Sequence, residues 1–237
     1  MDKIITQVGS LPHREIWDAV QYSLRHDIPF LPELINNGEN MFSYIKRPGN
    51  LLCLDLFKRE VNERGYSYVK VQCVGPATMI VNGGYSHNDA VSRCRDHIGA
   101  ILDGLNAREI ILFLDEPALI NADFSYRDLW NVVFDGYKVI RGIHNCGEMD
   151  WQEIFGAEID IVSFPQSIKV HSTITNYRDN KRIAWGVKRS SRVDKFRDGD
   201  LLTPPCGLAS FSVKKCERTL DDLLFVKRKV LESQKPI

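Results

Sequence analysis

A (β/α)8 (TIM) barrel, formed as one compact α/β domain over residues 1–237, is the fold this sequence predicts, and three observations carry it. Eight short runs of β-branched and aromatic residues recur with little polar alternation, as expected for strands covered on both faces of a parallel sheet. Helical patterns lie between them, and strand alternating with helix marks a parallel α/β architecture. No repeat, low-complexity tract or linker interrupts the series, and 237 residues is an ordinary length for a single α/β barrel. A doubly wound open sheet is the alternative. It is disfavoured because the first run ends in Gly9-Ser10-Leu11-Pro12 rather than in a G-x-G-x-x-G phosphate loop.

The strands are expected at residues 6–11, 28–34, 69–75, 109–114, 139–144, 159–164, 182–187 and 201–204. Val91, Cys94, Ile98, Ile101, Leu102 and Leu105 recur at helical spacing behind Ser86 and Asp89, a capping pair. Ser125 with Asp128, and Asp150 with Glu153, open two more helices. Val213, Cys216, Leu220, Leu223 and Leu224 form the apolar stripe of the last one. Residues 171–180 and 191–198 are the weakest helix candidates. Cys94 and Cys216 lie on apolar stripes and read as small core residues. Trp151 and Trp185 read as helix packing and strand wall. Gly75-Pro76 reads as a turn, and His13, His26, His87, His97 and His171 as ordinary surface or helix residues.

Composition narrows the function classes. Thirty-one basic residues balance 31 acidic ones, which removes nucleic acid and anionic membrane surfaces as default partners. No window approaches the ~18 uninterrupted apolar residues of a membrane span. Met1-Asp2-Lys3 leads into a strand-like run without a secretory apolar region, and six cysteines are scattered without the spacing of a disulfide scaffold. A reduced, cytoplasmic protein is the expectation.

If the fold is a barrel, chemistry belongs at the C-terminal ends of its strands. The polar residues there are Ser10, Glu33, Gln72, Asp115, Glu116, His144, Cys146 and Cys206. One imidazole and two thiolates converging from the fifth and eighth strand ends make a borderline-soft site, for which Zn2+ is the commonest occupant. Three protein ligands leave a coordination position open, the arrangement used for chemistry rather than for stapling a fold.

The residues at these strand ends also carry a resemblance. Val8-Gly9-Ser10-Leu11-Pro12, Gly75-Pro76-Ala77-Thr78, Asp115-Glu116-Pro117-Ala118, His144-x-Cys146 and Pro205-Cys206-Gly207-Leu208 occur in the order seen in the catalytic barrel of cobalamin-independent methionine synthase. That scaffold is shared with uroporphyrinogen decarboxylase and with methylcorrinoid:thiol methyltransferases. The resemblance spans nearly the whole chain and implies a compact, stand-alone zinc methyltransferase barrel. It implies that His144, Cys146 and Cys206 are the zinc ligands and that Asp115 holds the amino group of a homocysteine-like thiol. It also implies that Gly9 and Ser10 meet the amino-acid carboxylate, and that Glu33 lies near both amine and metal. Glu116 is placed beside Asp115 in the substrate-binding set, the plainer reading of that pair being a strand cap and turn. One position departs from the pattern: Pro165 in Ser163-Phe164-Pro165 stands where the synthase has a glutamate zinc ligand. The corrinoid-dependent enzymes, which lack that glutamate too, are similar in this respect. Glu33 is therefore expected to fill the resting site.

These residue types suit the chemistry. A free thiol is mostly protonated near neutral pH and only the thiolate is a competent nucleophile. A metal removes that proton, while two cysteine ligands cancel the metal's charge and keep the substrate sulfur electron-rich. The methyl group is expected from a methyl-corrinoid (methylcobalamin-bound) protein or from methyltetrahydrofolate, and the acceptor is a small thiol. Two other classes compete: a non-catalytic zinc- or ligand-binding relative, and a tetrapyrrole decarboxylase. The decarboxylase would need an arginine-rich mouth, for which only Arg189 and Arg192 are candidates.

Overall fold

The computed structural model describes residues 3–147, 149, 151–166, 178 and 181–234. Its centre is a curled, parallel six-stranded sheet, a half-barrel whose strand order follows the chain. The strands are β3 (Tyr68–Val74), β4 (Glu109–Asp115), β5 (Ile140–His144), β6 (Ile161–Pro165), β7 (Arg182–Gly186) and β8 (Leu201–Thr203). Earlier in the chain, β1 (Ser10–Leu11) and β2 (Glu33–Leu34) form a separate parallel pair. The helices are α1 (Ile16–Leu24), α2 (Met41–Ile45), α3 (Leu54–Arg64), α4 (Pro76–Gly83), α5 (His87–Leu102), α6 (Arg127–Phe134), α7 (Trp151–Phe155) and α8 (Val213–Ser233).

Six of the expected strands therefore appear within two residues of their expected bounds, while the first two shrink to two residues each. Pro29 and Pro32 interrupt the second run and remove ladder donors. Gly9 turns the first run at φ 147°. What remains are single parallel bridges, Ile5 to Leu202 on β8 and Phe30 to Lys70 on β3. The Ile28 amide also donates to the Ile5 carbonyl at 3.0 Å.

Alternate residues on these strands serve two cores. Leu112 and Leu114 pack outward into the large layer shared with the helices, whereas Ile111 and Phe113 join Ile28, Ile161, Ala184 and Leu201 inside the curl. Gly142 on β5 is required there, because a Cβ would lie 2.8 Å from the Phe113 ring. Lys70 and Gln72 on β3 belong to the same inward parity, and the Lys70 ammonium sits 5.2 Å from the Phe113 ring centroid. Near β8, buried Asp200 receives the Arg178 guanidinium, the Ile183 amide and the Trp185 indole. That pairing meets the rule that a buried charge needs partners.

Capping follows the sequence at α5, where Ser86 accepts from the Asp89 amide, while Ser125 meets the Asp128 carboxylate at the start of α6. Asp150 and residues 171–177 and 179–180 lie outside the described residues, while Glu153 sits in the first turn of α7 where the sequence placed a helix. Residues 191–198 form turns, not a helix, since Val193 and Phe196 alone cannot supply a buried stripe. Gly75-Pro76 opens α4, with Pro76 in its first turn. Three of the histidines read as surface or helix residues are buried, His97 on helix α5 and His13 and His26 outside the helices. His26 touches Gln7 and the Tyr22 and Ser23 carbonyls, His97 stacks on Tyr44 at 4.4 Å, and His13 packs near Tyr22. Cys94, Cys216, Trp151 and Trp185 are buried as expected. Among the described residues no helix is long and apolar enough to cross a membrane.

Candidate metal centre and its facing carboxylates

Parallel register aligns the strand ends at one level. Asp115 pairs with Val74 on one side and with His144 on the other, and His144 pairs with Ser163. On the short pair, Ser10 aligns with Glu33. Side chains at one register level project into the same mouth, so sequence-distant residues meet.

His144, Cys146 and Cys206 do meet: one ligand atom from each lies within 4.8 Å of the others. A tetrahedral zinc needs such donors about 3.5–3.8 Å apart, given metal–sulfur and metal–nitrogen bonds of ~2.3 and ~2.0–2.1 Å. His144 is buried and its Nδ1 lies 2.9 Å from Ser163 Oγ, which leaves Nε2 as the nitrogen for a metal. Hydrogen bonds from Cys146 and then from His144 hold the Cys206 thiol down to about 4, and Cys146 is pushed far up because its thiol proton serves Cys206. A metal bound there would release the thiol proton, since cysteine ligates as the thiolate.

Asn145, the middle residue of the motif, explains why Cys146 faces outward. Its side chain donates to the Glu116 carbonyl at 2.6 Å and accepts from the Gly147 amide at 2.7 Å, tying down the turn after β5. Across the mouth, Ser10 Oγ would lie 2.0 Å from a Cβ on Gly207, and the Leu208 amide donates to the Ser10 carbonyl at 2.9 Å. The Gly9-Ser10 loop and the Cys206 loop are thus built against each other.

The carboxylates divide. Asp115 ends β4 with Oδ1 buried and without a hydrogen-bond partner, and burial raises its pKa. Glu33 is buried, accepts from Gln72 Nε2 at 2.8 Å, and is pushed up to about 8 by burial and then by the Asp115 charge. It is not solvated, and it lies outside the three-residue cluster. The Glu116 side chain is engaged elsewhere. Its carboxylate accepts from the Ala77 and Thr78 amides (3.1 and 2.7 Å) and from Trp130 Nε1 at 2.8 Å, capping α4 inside the helix layer. Gly75 is glycine because a Cβ would lie 2.0 Å from that carboxyl group.

Three further residues shape the site. Ser163 orients His144, and Gln72 and Lys70 lie beneath the carboxylates. The buried Lys70 ammonium donates to the Val8 carbonyl and to Gln72 Oε1 at 3.0 Å, which fixes the Gln72 amide with Nε2 toward Glu33. Burial lowers Lys70 to about 8. Gly9 is needed here as well, since a Cβ would sit 2.4 Å from Gln72 Nε2. A sequence signal existed: in Val69-Lys70-Val71-Gln72-Cys73 the polar residues fall on one face of an otherwise apolar strand.

No protein-family profile and no curated protein matches the chain in sequence. Among solved structures, the chain is similar to a B12-independent methionine synthase from Shewanella sp. W3-18-1, determined in complex with selenomethionine. The TM-score is 0.56 at 17% identity, over 73% of this chain and 65% of that one, so the chain spans less than two thirds of that protein's length. The likeness is one of fold.

Proposed function

We propose that this protein is a zinc-dependent methyltransferase whose acceptor is a small amino-thiol, with β1 and β2 completing a single-domain (β/α)8 ring. The observation that carries the reading is the cluster of His144, Cys146 and Cys206 at the same mouth as the unpartnered Asp115 oxygen. The donor set fits zinc in type and number, and its atoms lie within 4.8 Å of one another. Zinc held there would supply the Lewis acidity that keeps a substrate thiol deprotonated. The chain's own residues do the rest. Ser163 fixes the imidazole of His144, and Asn145 presents Cys146. Asp115 takes the substrate ammonium in a charge-assisted hydrogen bond, while Ser10 and the Gly9 backbone meet its carboxylate. Glu33, neutral below about pH 8, is a proton-bearing wall rather than a second anion beside Asp115. The methyl donor is a methyl-corrinoid protein or a methyl-folate. The fold likeness to a methionine synthase supports methyl transfer as the reaction class.

The test is X-ray absorption at the zinc edge with and without homocysteine. A new sulfur neighbour supports the reading, and an edge that no thiol perturbs refutes it. That second outcome favours a non-catalytic zinc-binding relative, a reading that draws on Pro165 standing in place of a fourth ligand. A tetrapyrrole decarboxylase is opposed by the residues at the strand ends, where Glu33 and Asp115 stand in place of the arginines that many carboxylates would require.

A further inference from the structure

Behind Cys206 lies a second concavity, a cleft of about 640 Å3 between the loop after β7, the loop after β8 and the outer face of α8. Its floor is apolar, formed by Val187, Pro204, Pro205, Leu208, Phe211 and Phe225. Its rim is not. Lys188, Arg189, Lys215 and Lys229 line it against one carboxylate, Asp222. Two of these cations are held in place rather than left to wander: the Arg189 guanidinium lies 4.2 Å, and the Lys229 ammonium 4.5 Å, from the Phe225 ring centroid. Asp222 engages Arg189 only loosely, at 3.4 Å, so the rim keeps an excess of positive charge. Phe211 is 49% exposed, a large apolar side chain left uncovered beside that rim.

Apolar floor and cationic rim select a particular chemistry. A purely apolar ligand leaves the rim charges unanswered, and a bare inorganic anion leaves Phe211 and Leu208 wet. We propose that this cleft binds a small organic anion, a planar apolar body bearing a carboxylate, sulfonate or phosphate, seated with its body on Phe211 and Leu208 and its acid on Arg189 and Lys229. Cys206 is part of the cleft wall, so a bound ligand borders the sulfur cluster. Its relevance to thiol chemistry rests on the proposed function; its existence as an anion site does not.

Two dyes with the same ring system separate the contributions: 8-anilinonaphthalene-1-sulfonate carries the acid and N-phenyl-1-naphthylamine lacks it. The full-length protein is expected to bind the sulfonate at one site at least about tenfold more tightly than the neutral dye, the range of a charge-assisted contact. Raising salt from about 50 to about 500 mM should weaken only the sulfonate. The double variant Arg189→Gln, Lys229→Gln should bind both dyes alike, with unchanged thermal unfolding and zinc content. In zinc-free protein, saturating sulfonate should slow iodoacetamide alkylation of Cys206, read by peptide mass spectrometry. Equal binding of the two dyes by the native protein, discrimination that survives the double variant, or unprotected Cys206 would each overturn the proposal. Zinc content read in parallel keeps the conclusions apart: a zinc-free protein that still selects the sulfonate loses the methyltransferase reading and keeps the cleft. A zinc-loaded protein that does not select it loses only the cleft.

Discussion

The two sides of the mouth solve opposite problems with residues gathered at or just past the strand ends. On the β5–β8 side, His144, Cys146 and Cys206 are soft donors, two of them exposed, held by a buried serine and asparagine. On the β2–β4 side, buried Glu33 and half-buried Asp115 are hard oxygen donors set above Lys70 and Gln72. The first side is open, so a ligand can reach it without moving the chain. The second is preorganised, so its selectivity is set before a ligand arrives. Adjacent carboxylates repeat the contrast on a smaller scale: Asp115 keeps an unanswered oxygen, whereas the Glu116 carboxylate has three protein donors.

The largest expected effect breaks the soft side alone. Protein prepared without chelator should carry about one zinc per chain, and Cys146→Ser or Cys206→Ser should lose most of it by elemental analysis; stoichiometric zinc in the double variant would refute the centre. Next is Glu116→Ala, which leaves the Ala77 and Thr78 amides and the Trp130 indole without their acceptor. At ~1–3 kcal/mol for each orphaned donor, chemical denaturation should show a loss of at least about 3 kcal/mol. Asp115→Asn should cost little stability, and comparable losses from both variants would erase the distinction between the neighbours. Asp115→Asn should instead weaken an amino-thiol by about 1.5–3 kcal/mol while sparing a thiol without the amine. Equal weakening in calorimetry would make Asp115 structural.

Smaller effects sharpen the same contrast. Ser163→Ala should lower zinc affinity about 10- to 100-fold by releasing the His144 ring, and competition with a chromophoric chelator reads this directly. The subtlest effect lies on the carboxylate side. Burial raises Glu33 from its ordinary 4.5 to about 8, so folding favours its neutral form. That contribution is fully present below about pH 4.5 and is lost as pH rises through about 8. The stability of the native protein relative to Glu33→Gln should therefore fall across that window. A flat difference would show that Glu33 is solvated after all.

How much was legible follows from what each signal depends on. Six strands, the capped α5, the core cysteines and the three-donor cluster were readable, because apolar periodicity and ligand type are local properties of the chain. The first two strands were over-read: Pro29, Pro32 and Gly9 cut their ladders short although their hydrophobicity looked strand-like. The partners of Glu116 were not legible, because a carboxylate beside a turn looks the same whether it faces a mouth or the end of a neighbouring helix. Sequence alone determined which chemistry was available, a histidine and two cysteines past apolar runs beside an acidic pair. Only tertiary structure decided who meets whom. Side-chain parity at the strand ends and the curl of the sheet brought residues 144, 146 and 206 within bonding range of one ion and turned Lys70 and Gln72 inward beneath Glu33. The same packing sent Asp115 and Glu116 to opposite sides of the strand they end, because successive side chains there point opposite ways.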